Sequence, residues 1–96
     1  MDVLVTYDIN TTTRDGEIRL MRVTKICERY GVRAQYSVFE CRMTGVSLKK
    51  FLIEIAGVVD VALDSVHLYR FNGAIRDSRT VVGRPRPREL GEPWII

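Results

Sequence analysis

Asp8 is the side chain in this sequence best placed to do chemistry. It follows directly on Val3-Leu4-Val5-Thr6-Tyr7, a β-branched, aromatic-ended run of strand length. A buried strand there would hold the carboxylate at a sheet edge. Two roles fit it: a turn-forming aspartate at the head of the Ile9-Asn10 loop, or a ligand for a hard cation. One carboxylate is a poor magnesium site, because such sites combine one or two carboxylates with waters and substrate phosphates. A two-fold axis passing near Asp8 would bring in a second copy. Two Asp8 carboxylates could then hold one Mg2+, or another divalent cation, where it would polarise a phosphodiester.

Other candidates divide between chemistry and structure. Arg33 precedes a strand-like run, so its guanidinium fits bidentate phosphate binding or a plain surface position at a strand start. Tyr36 and Phe39 fit core packing better than base stacking. Arg76, Arg79, Arg84, Arg86 and Arg88 suit a duplex backbone rather than a base code. His67, the single histidine, lies in an apolar-alternating run where a structural or surface role is expected, which leaves Ser/His/Asp hydrolysis without support. Cys27 and Cys41 lack CxxC spacing and read as two free thiols packed in the core.

The elements that must position these residues follow from periodicity. Thr12 or Thr13 can cap a helix whose first turn carries Asp15 and Glu17 and whose inner face runs through Leu20, Val23, Cys27 and Tyr30, with Gly31 as its stop. Residues 32–43 are strand-like with a change of phase, explained by a bulge or kink near Val38 or by two short strands. Leu48, Phe51, Leu52 and Ile55 mark a second helix ending near Gly57, and Val66, Leu68 and Phe71 a further strand. After Asn72-Gly73 the chain reads as an arginine-rich loop, extended and solvated through Arg84-Pro85-Arg86-Pro87-Arg88. The apolar Pro93-Trp94-Ile95-Ile96 ending reads as a strand that docks on a partner subunit.

The expected architecture is α+β: a ferredoxin-like antiparallel sheet with two helices on one face. Residues 1–75 form that domain, and 76–96 form a basic linker with the docking strand, within a single domain overall. At 96 residues, with 46% apolar and 28% charged side chains, one modest core is possible, and a dimer would enlarge it. Residues 1–69 carry nine basic and nine acidic side chains, whereas residues 70–96 carry six arginines and three acids, so the net +3 sits in the C-terminal third. That asymmetry points to an anionic partner. With no membrane-length apolar run and no leader-like start, a cytoplasmic protein without a membrane partner is expected.

Val5-Thr6-Tyr7-Asp8-Ile9, then Arg33-Ala34-Gln35-Tyr36-Ser37-Val38-Phe39-Glu40, then Asp64-Ser65-Val66-His67-Leu68-Tyr69, resemble the CRISPR-associated spacer-acquisition endonuclease family in order and spacing. This is the smaller of the two universal CRISPR adaptation proteins. The resemblance implies a ferredoxin-like homodimer whose terminal strand extends the neighbouring subunit's sheet. It implies that Asp8 is the catalytic and metal-binding residue, paired across the dimer. Tyr7, Arg33, Phe39 and a helix arginine (Arg19 or Arg22) fall at the family's functional positions. They are the nucleic-acid contacts the resemblance suggests, to which the charge reading, and not the resemblance, adds Arg84 and Arg86. Members are described as metal-dependent ribonucleases or deoxyribonucleases, and as a bridge between two dimers of the larger integrase subunit. The implied partners are a second copy of the chain, that integrase, and DNA or RNA. Two other readings stay open: a toxin-type messenger-RNA endonuclease, and a non-catalytic DNA-bridging scaffold in which Asp8 is only a turn residue.

Overall fold

Strand parity builds the sheet. The computed structural model describes residues 1–84, so the expectations placed on Arg86, Arg88 and the Pro93–Ile96 strand lie outside the described residues. Strand β1 (Asp2–Asp8) buries Val3, Val5 and Tyr7 on one face and turns Leu4, Thr6 and Asp8 to the other. Thr13 caps helix α1 (Arg14–Glu28), its hydroxyl accepting the Gly16 N–H at 3.2 Å. The inward stripe of α1 runs through Gly16, Val23, Ile26 and Cys27. Leu20, expected on that stripe, is half exposed, lying about 70° from its centre at 100° per residue.

Gly31 does not end α1. The helix stops at Glu28, the Arg29 and Tyr30 N–H groups bond back to the Ile26 and Cys27 carbonyls, and Gly31 opens strand β2 (Gly31–Gln35). A Cβ at Gly31 would run into the Glu40 carbonyl oxygen and lie 2.7 Å from the Cys41 Cα. The glycine is needed for close approach to strand β3 (Val38–Arg42), not for a turn. Two short strands joined at Tyr36-Ser37, where Tyr36 stands exposed rather than in the core, explain the phase change, and the register irregularity lies between Arg33 and Gln35, opposite Val38 and Phe39.

Thr44 and Ser47 form a reciprocal cap on helix α2 (Gly45–Ala56), each accepting the other's backbone N–H, at 3.1 and 2.8 Å. Leu48, Phe51 and Ile55 face inward, while Leu52 stays largely exposed at the edge of that face. Strand β4 (Ser65–Arg70) turns Val66 and Leu68 to the core. Phe71 lies one residue beyond it, its N–H donating to the Asp2 carbonyl at 2.9 Å.

The sheet order is β2-β3-β1-β4, antiparallel throughout, with both helices packed on one face. This is the ferredoxin-like α+β architecture. The segment after β4 is not simply solvated loop. It forms a 3-10 helix (Ile75–Ser78) whose Ile75 is buried. The Ile75 N–H donates to Asp2 Oδ2 at 2.9 Å, and Arg42 holds the same carboxylate at 2.8 and 3.2 Å. Those partners, Arg42 foremost, keep the Asp2 carboxyl below the usual aspartate range. Arg79 pairs with the buried Glu40 at 3.1 Å, so one arginine expected to be free is committed within the fold.

Candidate functional site

Asp8 ends the central strand, exposed, on the sheet face away from the helices. It lies opposite Ser65 in β4, and the next pair along is Thr6 with His67. Asp8, Thr6, Ser65 and His67 therefore share one corner of the open face. Among the described residues no three His, Cys, Asp or Glu side chains converge as a metal cluster. A single protomer offers one exposed carboxylate at this corner, a hard oxygen donor, whereas magnesium sites combine one or two carboxylates with waters and substrate phosphates.

The loop behind Asp8 is held tightly. Asn10 Oδ1 accepts the Thr12 N–H at 3.0 Å and the Thr12 hydroxyl at 2.6 Å. The Asn10 N–H donates to Asp64 Oδ1 at 3.0 Å, and Arg19 Nη2 donates to the Asn10 carbonyl at 3.4 Å. Arg19 and Asp64 themselves form an ion pair at 2.8 Å, with the Asp64 side chain wholly buried. Asp64 Oδ2 also accepts the Asp60 N–H at 2.8 Å. The Arg19 guanidinium, and then the Asp60 and Asn10 amides, hold the Asp64 carboxyl below its ordinary range against the opposing pull of burial.

The residues expected to contact nucleic acid separate by sheet face. Tyr7 is buried on the helix side, paired with the Thr24 hydroxyl at 2.8 Å and donating to the Tyr36 carbonyl at 3.2 Å. Phe39 is also buried, stacked on Tyr7 with centroids 6.3 Å apart. Both are core residues, because odd positions of β1 and β3 point at the helices; neither ring is presented to a base. Arg33 stands over the Phe39 ring with its Cζ 5.3 Å from the centroid, again on the helix side. Arg19 is committed to Asp64. Arg22 and Arg84 are exposed, and Arg22 makes no ion pair among the described residues.

Arg22 belongs to a larger feature. Arg14, Arg22 and Lys25 are all exposed and fall within an arc of about 80° on α1, over about 17 Å of its length. Sequence reading singled out Arg22 but did not gather the three into a stripe, which helical spacing alone could have revealed. It also missed Asp64, whose partners stand 45 and 54 residues away in the chain. Cys27 and Cys41 are buried free thiols, as expected, with burial pushing both up to about 12. No helix among the described residues is long and apolar enough to cross a membrane.

The comparisons with known proteins agree with this fold. The profile of the CRISPR associated protein Cas2 family matches residues 1–77. The chain is 35% identical to the CRISPR-associated endonuclease Cas2 of Halalkalibacterium halodurans over 96 residues, covering 100% of both. It is 39% identical to the CRISPR-associated endoribonuclease Cas2 of Chlorobaculum tepidum, again over 96 residues and 100% of both. The crystal structure of Streptococcus pyogenes Cas2 at pH 6.5 superposes with a TM-score of 0.79 at 37% identity, over 86% of this chain and 100% of that one. With the family profile matching residues 1–77 and these relatives matched along their full length, the chain belongs to the CRISPR associated protein Cas2 family.

Proposed function

We propose that the chain acts as a homodimeric, divalent-metal-dependent endonuclease of CRISPR adaptation. The observation that carries this is Asp8: an exposed carboxylate fixed at the end of the central strand, on a sheet face that the helices leave open. That face also presents Leu4, Val38 and Tyr69, the last half exposed, which gives a second copy apolar surface to cover. Paired face to face, two protomers would bring two Asp8 carboxylates to one cation, a donor set that fits Mg2+. Bound there, the cation would polarise a phosphodiester. The chain's own part is to hold the two carboxylates and to bind the nucleic-acid backbone through Arg14, Arg22 and Lys25. The family resemblance adds a bridging role between dimers of the larger integrase subunit.

Asp8→Asn tests the reading. It removes one charge per subunit with little change of shape, at an exposed position that contributes little to the core. Cleavage of DNA or RNA oligonucleotides with Mg2+ should collapse while the fold and nucleic-acid binding persist. Wild-type cleavage by the variant would remove Asp8 from the mechanism. Binding without cleavage by either protein would favour the scaffold reading. Co-purification with a large integrase subunit separates adaptation from a toxin-type messenger-RNA endonuclease.

A further inference from the structure

The Asn10 peptide, two residues beyond Asp8, is held on three sides. Its N–H donates to Asp64 Oδ1 at 3.0 Å and its carbonyl accepts from Arg19 Nη2 at 3.4 Å. The same two side chains are joined to each other at 2.8 Å. On the third side stands Gly16 of α1, where any Cβ would run into the Asn10 carbonyl oxygen. The helix thus packs directly against the loop that leaves Asp8.

Asp64 flanks Asp8 from the other strand as well. It immediately precedes Ser65, the residue opposite Asp8 in the β1–β4 register. Asp64 is therefore hydrogen-bonded just beyond Asp8 on one strand and covalently attached to Asp8's neighbour on the other. Its side chain is wholly buried and accepts from Arg19, Asn10 and Asp60, so its oxygens have no freedom to follow another partner. Burying a carboxylate costs stability unless it is paired and hydrogen-bonded in this way. A solvated turn would have held the loop without one. What the buried pair adds is a fixed direction for the last residues of β1.

We infer that Asp64, acting with Arg19 through the Asn10 peptide, is the positioning residue for Asp8. This rests on the reading of Asp8 as a metal-binding carboxylate, and it gives the helix arginine a role distinct from contact with nucleic acid. A cation shared by two carboxylates tolerates little displacement of either. Loss of residues that orient a metal ligand typically weakens metal affinity or activity by about 10–100-fold.

The test compares Asp64→Asn and Arg19→Lys with the wild-type protein. Arg42→Gln serves as a control that removes an ion pair at the opposite end of β1. Mn2+ affinity is read by water-proton relaxation, and kcat and KM from cleavage of a fluorogenic oligonucleotide, below the melting temperature of every variant. Expected are losses of about ten-fold or more in Mn2+ affinity and kcat for both site variants, with KM within two-fold, and neither loss in Arg42→Gln. Should Asp64→Asn fail to fold, Arg19→Lys, which keeps the charge but not the forked contact to both Asp64 and Asn10, decides the matter. Wild-type affinity and kcat in a folded Asp64→Asn protein would overturn the inference. So would equal losses in all three variants that track their melting temperatures, since that is the signature of stability alone. Absence of Mn2+ binding and cleavage in the wild-type protein would sink the Asp8 reading first and the Asp64 role with it.

Discussion

Replacing Gly16 by alanine sets helix propensity against packing, and the structure decides the sign. Gly16 lies in the first turn of α1, where alanine is favoured over glycine by at most about 0.8–1.0 kcal/mol. Against that, the new methyl would occupy the space of the Asn10 carbonyl oxygen and come within 3.1 Å of the Thr11 Cα. Both neighbours are backbone and cannot swing aside as a flexible side chain would. Overpacking of this kind costs roughly 1–3 kcal/mol. Displacing Asn10 also weakens its N–H bond to the Asp64 carboxylate, and a bond to a charged group contributes about 1.5–3 kcal/mol. The net is a destabilisation of about 1.5–5 kcal/mol, or a fall in Tm of at least about 6 °C for a domain of this size. Gly45, at the start of α2, meets nothing within 4 Å, so the same substitution there should leave Tm unchanged or raise it by a few degrees, roughly the propensity gain. Thermal melts followed by circular dichroism at 222 nm compare the pair directly. A Gly16→Ala protein that melts at or above the wild type would refute the contact between helix and loop.

Two further outcomes follow. Asp2 and Asp64 both have folded-state values below the ordinary aspartate value near 4, so their stabilisation is present above that pH and is lost as pH falls through the lower folded values. Cys27 and Cys41, pushed up to about 12, act in the opposite direction: their contribution is present below the ordinary thiol value near 8.5 and is lost as pH rises toward 12. Urea midpoints from pH 2 to 11 should therefore fall at both ends, and a flat acid limb would contradict the two carboxylate pairings. For nucleic acid, changing Arg14, Arg22 and Lys25 to glutamine should lower the slope of log K against log salt by about 0.9 per lost duplex phosphate contact. An unaltered slope would return the stripe to a solvated helix face.

Much of the fold was legible because local signals agreed with the global one. Of the two threonines that could cap α1, Thr13 does so, and Val3, Val5 and Tyr7 alternate as a half-buried strand must. That parity also assigns Tyr7 to the core and Asp8 to the opposite face, although family resemblance had grouped the two. Asp8 itself was legible as a carboxylate at a strand end. Its support was not, because Asn10, Arg19 and Asp64 come from three separate segments that meet only once β1 and β4 are in register. Ile75 was hidden for a similar reason. Its burial goes with a hydrogen bond from its N–H to the Asp2 carboxylate, 73 residues earlier, and no local pattern carries that information.

The sheet order has a consequence for the order of events during synthesis. β1 is the first strand made and sits at the centre, between β3 and β4. Neither neighbour has emerged when it leaves the ribosome: β3 begins at Val38 and β4 at Ser65. Among the described residues the strand pair close in sequence is the β2–β3 hairpin, which can form while β1 still waits. At about 5–20 residues per second, the roughly 57 residues between Asp8 and Ser65 correspond to about 3–11 s in which β1 lacks its second partner. For that interval Val3, Val5 and Tyr7 can be covered by α1, the hairpin and, once it has followed, α2, but not by β4. Loop closure for these distant pairings must be met before they stabilise anything. The β1–β4 edge is thus the last part of the sheet to be completed, opening at the Asp8 corner as Asp64 and Ser65 arrive together and closing only when Arg70 reaches Val3.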